Sequence, residues 1–286
     1  MTVPQPDGSR DRRIEDPTNL WIIHPAGRLL LPWFVARGIS ANAVSVLGLV
    51  LGTLAAAAYA QWTSWPFAFL GLLLSVGWLI ADGLDGMIAR ATGTASALGR
   101  TLDGIVDHGV FTLIYLVLAF SIGTFEGWVL AVAAGALHAV QSSLYEGERA
   151  RFHRRAKGIA AAPPAPSRNP LVLLYDFVAG SMDRIAARFE EALAQAPDPA
   201  AFGQAYAEAA AAPMRLMRLL TANVRVLAIF LACLAADPRL FWWFEIVPLT
   251  AVLVIGLAWH RAVESRLLRA SGAASQQPSQ SSIQRT

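Results

Sequence analysis

The chain has 286 residues, of which 55% are hydrophobic and only 15% are charged, and its mean hydropathy is +0.46. Soluble domains carry about 25% charged residues, so this composition excludes an ordinary soluble globule. The single cysteine excludes a disulfide scaffold and a cysteine-based zinc cluster. The formal net charge of +3 is explained by basic residues that orient membrane helices, and we expect no nucleic-acid partner.

Apolar stretches of about 20 residues, the length that spans a bilayer, recur along the chain. Lipid offers separate segments no partner for their backbone groups, so each stretch is expected to be a helix. The predicted fold class is therefore all-α, a polytopic membrane protein with six transmembrane helices. Their predicted bounds are 41–61, 66–89, 101–121, 127–147, 218–236 and 241–260.

The segments outside the spans complete the predicted organisation. Residues 1–38 combine an N-terminal tail with a short helix that mixes tryptophan and arginine, which is typical of an interfacial amphipathic helix. Residues 39–262 form the membrane domain, with a cytoplasmic insertion at about 149–214. The tail at 263–286 is rich in serine and glutamine and is expected to be disordered.

Arginines are concentrated on one side of the predicted spans. Arg28 and Arg37 precede the first span, and Arg90 and Arg100 lie between the second and third, whereas the opposite loops carry almost none. The positive-inside rule therefore predicts that both termini are cytoplasmic. We expect an integral protein of a bacterial inner membrane whose active site faces the cytoplasm.

Four carboxylates interrupt the apolar pattern between the second and third spans. Asp82 and Asp85 are three residues apart, and Asp103 and Asp107 are four apart, so each pair lies on one helix face. A carboxylate at membrane depth costs roughly 2.5–3.5 kcal/mol on insertion scales. Mg²⁺ or Mn²⁺ offsets that cost because hard dications bind carboxylate oxygens. Four converging acids predict a two-metal site for displacement at phosphorus.

The residues around the acids fit this interpretation. Gly86 leaves room for a phosphate group, and Arg90, one turn further, offers a planar fork to it. The alternative is that the acids cap helices and pair with Arg90 and Arg100. Such capping explains one or two acids but not four at these spacings.

The spacing of these residues resembles the signature of the CDP-alcohol phosphatidyltransferase family, here Asp82-x2-Asp85-Gly86-x2-Ala89-Arg90-x8-Gly99-x3-Asp103-x3-Asp107. The resemblance implies a six-helix membrane enzyme of phospholipid biosynthesis that transfers a substituted phosphate from a CDP-linked donor to an alcohol and releases CMP. It implies that Asp82, Asp85 and Asp103 hold two divalent metals, and that Asp107 is both a metal ligand and the base.

The same resemblance implies residues that contact the nucleotide. Gly86, Arg90 and Ser96 fall where members of the family contact the nucleotide and its phosphates. Asn42 and Ser45 belong to a stretch similar to the family's Pro-Asn-x-x-Thr element, which helps to hold the cytidine. In this chain an alanine and a serine replace the proline and the threonine.

Three further residues are candidates for binding the acceptor. Arg225 lies inside the fifth predicted span, where it either binds a substrate phosphate or pairs with an acid of the cluster. Arg154 belongs to a basic stretch that either attracts anionic lipid headgroups or binds an acceptor phosphate. His138 belongs to a polar stripe that either joins helices or lines the acceptor pocket.

Two other functions compete with this interpretation. A metal-dependent membrane prenyltransferase also holds a pyrophosphate between acidic segments, but it lacks the glycine and arginine frame seen here. A divalent-cation transporter needs acids along a pathway near the midplane, whereas these acids cluster at one end of two spans. The expected partners are a CDP-linked lipid donor, for which CDP-diacylglycerol is favoured, a small alcohol or lipid alcohol acceptor and the bilayer. The acceptor and a homodimeric state are left open.

Overall fold

The computed structural model describes residues 11–95, 97–161 and 185–275, with side chains given except for 97–105 and 271–275. These residues form helices and loops, and no strand occurs among them. The chain divides into two compact units. Unit 1 comprises Met1–Leu144 and Arg218–Val252, and unit 2 comprises Tyr145–Met217 and Leu253–Thr286.

The helices are, in chain order, α1 (His24–Ala36), α2 (Ala41–Tyr59), α3 (Trp65–Ala91), α4 (Ala97–Ile122), α5 (Phe125–Arg155), α6 (185–195), α7 (Pro199–Met217), α8 (Ala222–Leu234), α9 (Arg239–Phe244) and α10 (Thr250–Ser275). Short π-helical turns occupy Asn19–Ile23 and Glu245–Leu249, and a 3₁₀ turn occupies Arg218–Leu220.

Four helical runs in the described chain are long and apolar enough to cross a membrane. They are α2, α3, α5 and the run Arg239–Ala270, which joins α9, the second π-helical turn and α10. A fifth candidate is the pair Pro199–Leu220 and Ala222–Leu234, and the described part of α4, Val106–Ile122, is a shorter apolar helix. The predicted all-α integral membrane protein is confirmed, while the count of six spans stays a prediction.

The fifth predicted span, 218–236, differs from the helix that the structure contains. Residues 218–220 form a 3₁₀ turn, Thr221 is extended, and α8 begins only at Ala222. A break leaves carbonyl groups without helical partners, and the guanidinium of Arg225 donates a hydrogen bond to the carbonyl of Leu220. The polar side chain inside the span therefore stabilises the start of a shorter helix.

The core of unit 1 lies between α2, α3 and α4. α2 packs against both of the other helices, and the Trp78 and Phe111 rings join α3 to α4 with their centroids 5.2 Å apart. Close packing of α2 on α4 requires glycine at one position, because a Cβ atom on Gly52 would lie 2.4 Å from a methyl group of Val110.

The N-terminal helix predicted within 1–38 is present as the first π-helical turn followed by α1. It packs against α3 and exposes Trp21, Leu29 and Trp33. It ends before Gly38, whose φ of +65° is the left-handed conformation that favours glycine. Its location at the membrane interface stays a prediction.

Unit 2 contains the end of α5, α6, α7 and most of α10. Its core includes Phe189 and Tyr206, whose ring centroids are 5.0 Å apart. Gly203 of α7 approaches the end of α5 closely, because a Cβ atom there would lie 2.3 Å from the carbonyl oxygen of Arg155. The predicted insertion at 149–214 falls within this unit, and the domain boundaries drawn from the sequence stay predictions.

Candidate active site

The acids of α3 and α4 lie at the same end of this helix pair. Trp78 and Phe111 mark a contact between the two helices. Asp82 lies one turn after Trp78, and Asp107 lies one turn before Phe111. Neighbouring helices that are joined by a short link run antiparallel. Both acids therefore lie between the aromatic contact and the link.

A cavity of about 520 Å³ lies beside this end of α3. Its walls come from the end of α1, the first two turns of α2 and the last two turns of α3. The residues that line it include Ser40, Asn42, Ser45, Asp85, Gly86, Arg90, Thr92 and Thr94. Ligand sites commonly occupy cavities of about 300–1,000 Å³, so this one has the size of a small-molecule site.

Among the residues whose side chains the structure describes, Asp85 is the acid in the cavity walls. It is 5% exposed, and Ser45 beside it is 6% exposed. The Ser45 hydroxyl lies 2.5 Å from Asp85 Oδ2, to which it donates a hydrogen bond across the interface of α2 and α3. The carboxylate therefore combines burial with access to a cavity.

The structure describes some of the other predicted metal ligands more completely than others. Asp82, on α3, and Asp107, on α4, are both half-buried. The backbone of Asp103 belongs to α4, while its side chain and the whole of Ser96 lie outside the described residues. The roles predicted for these residues stay predictions.

Three further predicted nucleotide contacts line the cavity with Asp85 and Ser45. Asn42 and Arg90 are exposed, so both side chains are accessible to a ligand. Gly86 lies beneath the arginine, since a Cβ atom there would be 3.2 Å from Arg90 Nη1. A larger residue at this position would displace the guanidinium group.

Arg225 and His138 belong to a buried polar network in unit 1. Arg225 donates to both carboxylate oxygens of Glu245 at 3.0 and 3.1 Å and to Gln141 at 2.8 Å. His138 lies 3.3 Å from the Tyr115 hydroxyl and lines a second cavity of about 230 Å³. These contacts favour pairing over substrate binding for Arg225, although the acid is Glu245 and not one of the four aspartates.

Arg154 belongs to unit 2, where its guanidinium group donates to Glu190. Glu190 also accepts a hydrogen bond from the Ala161 amide at 2.7 Å and one from Arg155 at 2.7 Å. Burial raises the pKa of the Glu190 carboxyl, but these hydrogen bonds and charges outweigh it, so the pKa lies below its ordinary value. The predicted acceptor role of Arg154 is untested by this pairing.

Sequence reasoning missed a second acidic cluster, in unit 2. Glu148, His260 and Glu264 are buried, and their potential ligand atoms lie within 4.8 Å of one another. Arg261 donates to both glutamates at 3.0 Å, and Arg155 donates to Glu264 at 2.5 Å. Arg151 also donates to Glu148 at 2.7 Å, so a dication would face three guanidinium groups at this cluster.

Only part of that cluster left a signal in the sequence. His260 and Glu264 are four residues apart, a spacing that places them on one helix face. Glu148 lies more than 100 positions earlier, and no periodicity relates it to them. The sequence therefore indicated a polar face on α10 but did not indicate which residues that face contacts.

The helices and the cavity define an integral membrane protein with a carboxylate site at one end of its helices. The sequence model of the CDP-alcohol phosphatidyltransferase family matches residues 38–167. This segment, slightly under half of the chain, contains all four aspartates and the Asn42 to Ser45 element, so the resemblance is confirmed over these residues. No curated protein matches the chain.

The family that this segment matches shares one general reaction. Its members are enzymes that transfer a phosphate group from a CDP-alcohol donor to an alcohol acceptor in a membrane lipid environment. The family generally depends on a divalent metal.

Proposed function

We propose that the protein transfers the phosphatidyl group of CDP-diacylglycerol to the hydroxyl group of an acceptor alcohol and releases CMP, in phospholipid biosynthesis. The observation that carries the proposal is that Asp85, Asn42 and Arg90 line one cavity of about 520 Å³. A carboxylate, an amide and a guanidinium group in one cavity match the pyrophosphate and the base of a CDP-linked donor.

The cavity residues have complementary tasks in holding the donor. The Arg90 guanidinium is exposed and suits bidentate contact with a phosphate. The Asn42 amide both donates and accepts hydrogen bonds, as the edge of a cytosine requires. Gly86 leaves space for the arginine and for a phosphate close to the backbone.

Asp82, Asp85 and Asp103 would hold two Mg²⁺ or Mn²⁺ ions, with Asp107 as a further ligand. The donor set fits, because carboxylate oxygens are the preferred ligands of hard dications and Asp85 faces the cavity. When bound, such ions neutralise the charge of the pyrophosphate and of the departing CMP oxygen.

Asp107 is the proposed general base. It accepts the proton of the acceptor hydroxyl while the hydroxyl oxygen forms a bond to the phosphorus that carries diacylglycerol. The bond between that phosphorus and the bridging pyrophosphate oxygen breaks, and CMP leaves with the electron pair. General bases contribute typically about 10²–10⁴-fold to the rate.

The arginine distribution supports a site that faces the cytoplasm, with both termini on the same side. Cysteines introduced at Thr63 and Thr124 should react with a membrane-impermeant label in intact cells, whereas one at Thr94 should not. Cys233 is buried, so the background labelling should be low. Labelling at Thr94 with protection at the other two positions would reverse the proposed orientation.

A single assay tests the reaction. Purified protein is supplied with CDP-diacylglycerol, Mn²⁺ and one alcohol at a time from inositol, inositol phosphate, glycerol 3-phosphate, serine and choline, and CMP release is measured. We expect release that depends on one of the acceptors and stops in excess chelator. In a parallel reaction supplied with an isoprenyl pyrophosphate, consumption of that compound, without CMP release from CDP-diacylglycerol, would instead support the prenyltransferase alternative.

A further inference from the structure

Ser45 and Asp85 form a buried hydrogen bond that joins two helices. Ser45 lies in the second turn of α2, and Asp85 lies near the end of α3, 40 positions later. Their separation of 2.5 Å is short for a hydroxyl and a carboxylate oxygen. Both residues line the cavity proposed to hold the donor.

The Ser45 hydroxyl has one proton to donate and two acceptors within reach. The Ala41 carbonyl in its own helix is 3.2 Å away, and Asp85 Oδ2 is 2.5 Å away. The contact to the Asp85 carboxyl oxygen is the shorter of the two, so the proton is assigned to the bond with Asp85. A hydroxyl engaged in this way cannot donate to a cytosine as well, whereas the Asn42 side chain is exposed in the cavity.

Packing on both sides holds the pair in register. Val44 and Leu84, the neighbours of Ser45 and Asp85 in the sequence, are buried in one apolar cluster between α2 and α3. In the next stretch of α2, a Cβ atom on Gly48 would lie 3.4 Å from the Trp78 ring, an ordinary van der Waals distance, so the two helices are in contact there as well. The hydrogen bond is therefore built into the helix contact.

We infer that Ser45 is a positioning residue for Asp85, and that it orients the carboxylate for a divalent ion instead of contacting the cytidine. A carboxylate with one oxygen held by a hydroxyl on another helix cannot rotate without breaking that bond. Partners of this kind around metal ligands typically change metal affinity about 10–100-fold. The inference rests on the proposed function, because that proposal makes Asp85 a metal ligand.

Ser45→Thr and Ser45→Val form a matched pair for the test. The two side chains are nearly equal in size and differ in the hydroxyl group. Mn²⁺ binding to the purified protein is measured without donor, as the loss of the electron paramagnetic resonance signal of free Mn²⁺. We expect Ser45→Val to weaken binding about 10–100-fold, while Ser45→Thr retains it. Ser45→Ala, which introduces no extra methyl group, should behave like Ser45→Val.

Two further variants locate the effect. Asp85→Asn should remove the same Mn²⁺ binding, which shows that the ion is at this site. Asn42→Ala should leave Mn²⁺ binding unchanged, because the variant keeps every proposed metal ligand. It should raise the KM for CDP-diacylglycerol, because it loses a contact to the cytosine of that substrate.

The outcomes separate this inference from the proposed function. Equal Mn²⁺ affinity in Ser45→Thr and Ser45→Val would overturn the inference. Absence of Mn²⁺ binding in the unmodified protein would overturn both the inference and the proposed metal site. Weakened Mn²⁺ binding in Ser45→Val, together with no CMP release from any donor and acceptor pair, would support the inference and contradict the proposed function.

Discussion

The two units contain buried acidic groups that differ in their surroundings. In unit 1, Asp85 accepts a hydrogen bond from a neutral hydroxyl and lines an open cavity. In unit 2, Glu148 and Glu264 are enclosed and accept hydrogen bonds from Arg155 and Arg261. Burial of an acid therefore does not by itself indicate a ligand site, and access to a cavity separates the two cases.

The charge balance of the unit 2 cluster explains its different behaviour. Three guanidinium groups, those of Arg151, Arg155 and Arg261, pair with the two glutamates, and Arg155 is shared with Glu190, so the ionic charges already compensate each other. Buried ion pairs of this type contribute little net stability, but removing one member leaves an uncompensated charge. We expect the cluster in unit 2 to affect folding and the acids of unit 1 to affect turnover.

The largest expected effect is on turnover, from Asp85→Asn. An amide is a poor ligand for a hard dication, and losing a metal ligand should cost more than the roughly 100-fold upper range for partners around the ligands. CMP release should therefore fall more than about 100-fold while the protein still inserts into the membrane. The matched control is Asp237→Asn, at a partly exposed acid paired with Arg239, which should keep full activity.

Asp107→Asn should separate chemistry from donor binding. An amide cannot accept the hydroxyl proton, so single-turnover CMP release should fall about 10²–10⁴-fold at saturating metal. Arg90→Ala should instead weaken the affinity for CDP-diacylglycerol, because it removes a cationic contact to the phosphates. An unchanged rate in Asp107→Asn would refute the assignment of the base.

Glu264→Gln should act on stability. It breaks the ion pairs with Arg155 and Arg261 in a site where Glu264 is 0% exposed, and such losses cost roughly 3–5 kcal/mol. Denaturant unfolding in detergent measures the change. Glu146→Gln removes an exposed pair with Arg149 and should cost about 0–1 kcal/mol.

The activity of folded Glu264→Gln protein tests whether the cluster in unit 2 has only a structural role. Turnover per folded molecule should be retained, because the glutamate is assigned a structural role. A loss of metal-dependent turnover with unchanged stability would place the metal site in unit 2.

Replacing both members of the Arg225 and Glu245 pair should decide between the two roles of the arginine. Arg225→Leu alone should cost roughly 3–5 kcal/mol, whereas the double replacement by leucine should cost less, because no uncompensated charge is left buried. The KM for the acceptor is measured in the double variant. A stable double variant with a strongly raised acceptor KM would favour the substrate-binding role.

The smallest effect concerns pH. Since the pKa of Glu190 is lowered in the folded protein, its stabilising contribution is present above the unfolded pKa of about 4.3 and is lost as the pH falls. The difference in Tm between the unmodified protein and Glu190→Gln should therefore narrow from pH 7 to pH 3. Glu191→Gln, at an exposed position of α6, should show no such change, and a difference that widens toward acid would contradict the assignment.

The sequence predicted the helices and the faces of the acids because both depend on short-range spacing. Hydropathy located α2 and α3 to within about two residues of their observed ends, and the spacing of Asp82 and Asp85 placed them on one face. The family resemblance also rested on local spacing and is confirmed.

The sequence pattern did not predict contacts between segments that are distant in the chain. The bond between Ser45 and Asp85 depends on how α2 is positioned against α3, and no periodicity specifies that register. The cluster around Glu148 depends in the same way on a contact with α10. The sequence also predicted an uninterrupted fifth span, because hydropathy does not detect the turn at Arg218–Leu220.

The position of bound Mn²⁺ is the most direct test of the central claim. The protein is crystallised with Mn²⁺ and a CDP-linked donor, and the anomalous difference map at the manganese edge locates the ions without reference to activity. We expect peaks beside Asp82 and Asp85, at the cavity that Ser45 and Arg90 also line. A peak between Glu148 and Glu264, with none beside the aspartates, would contradict that claim.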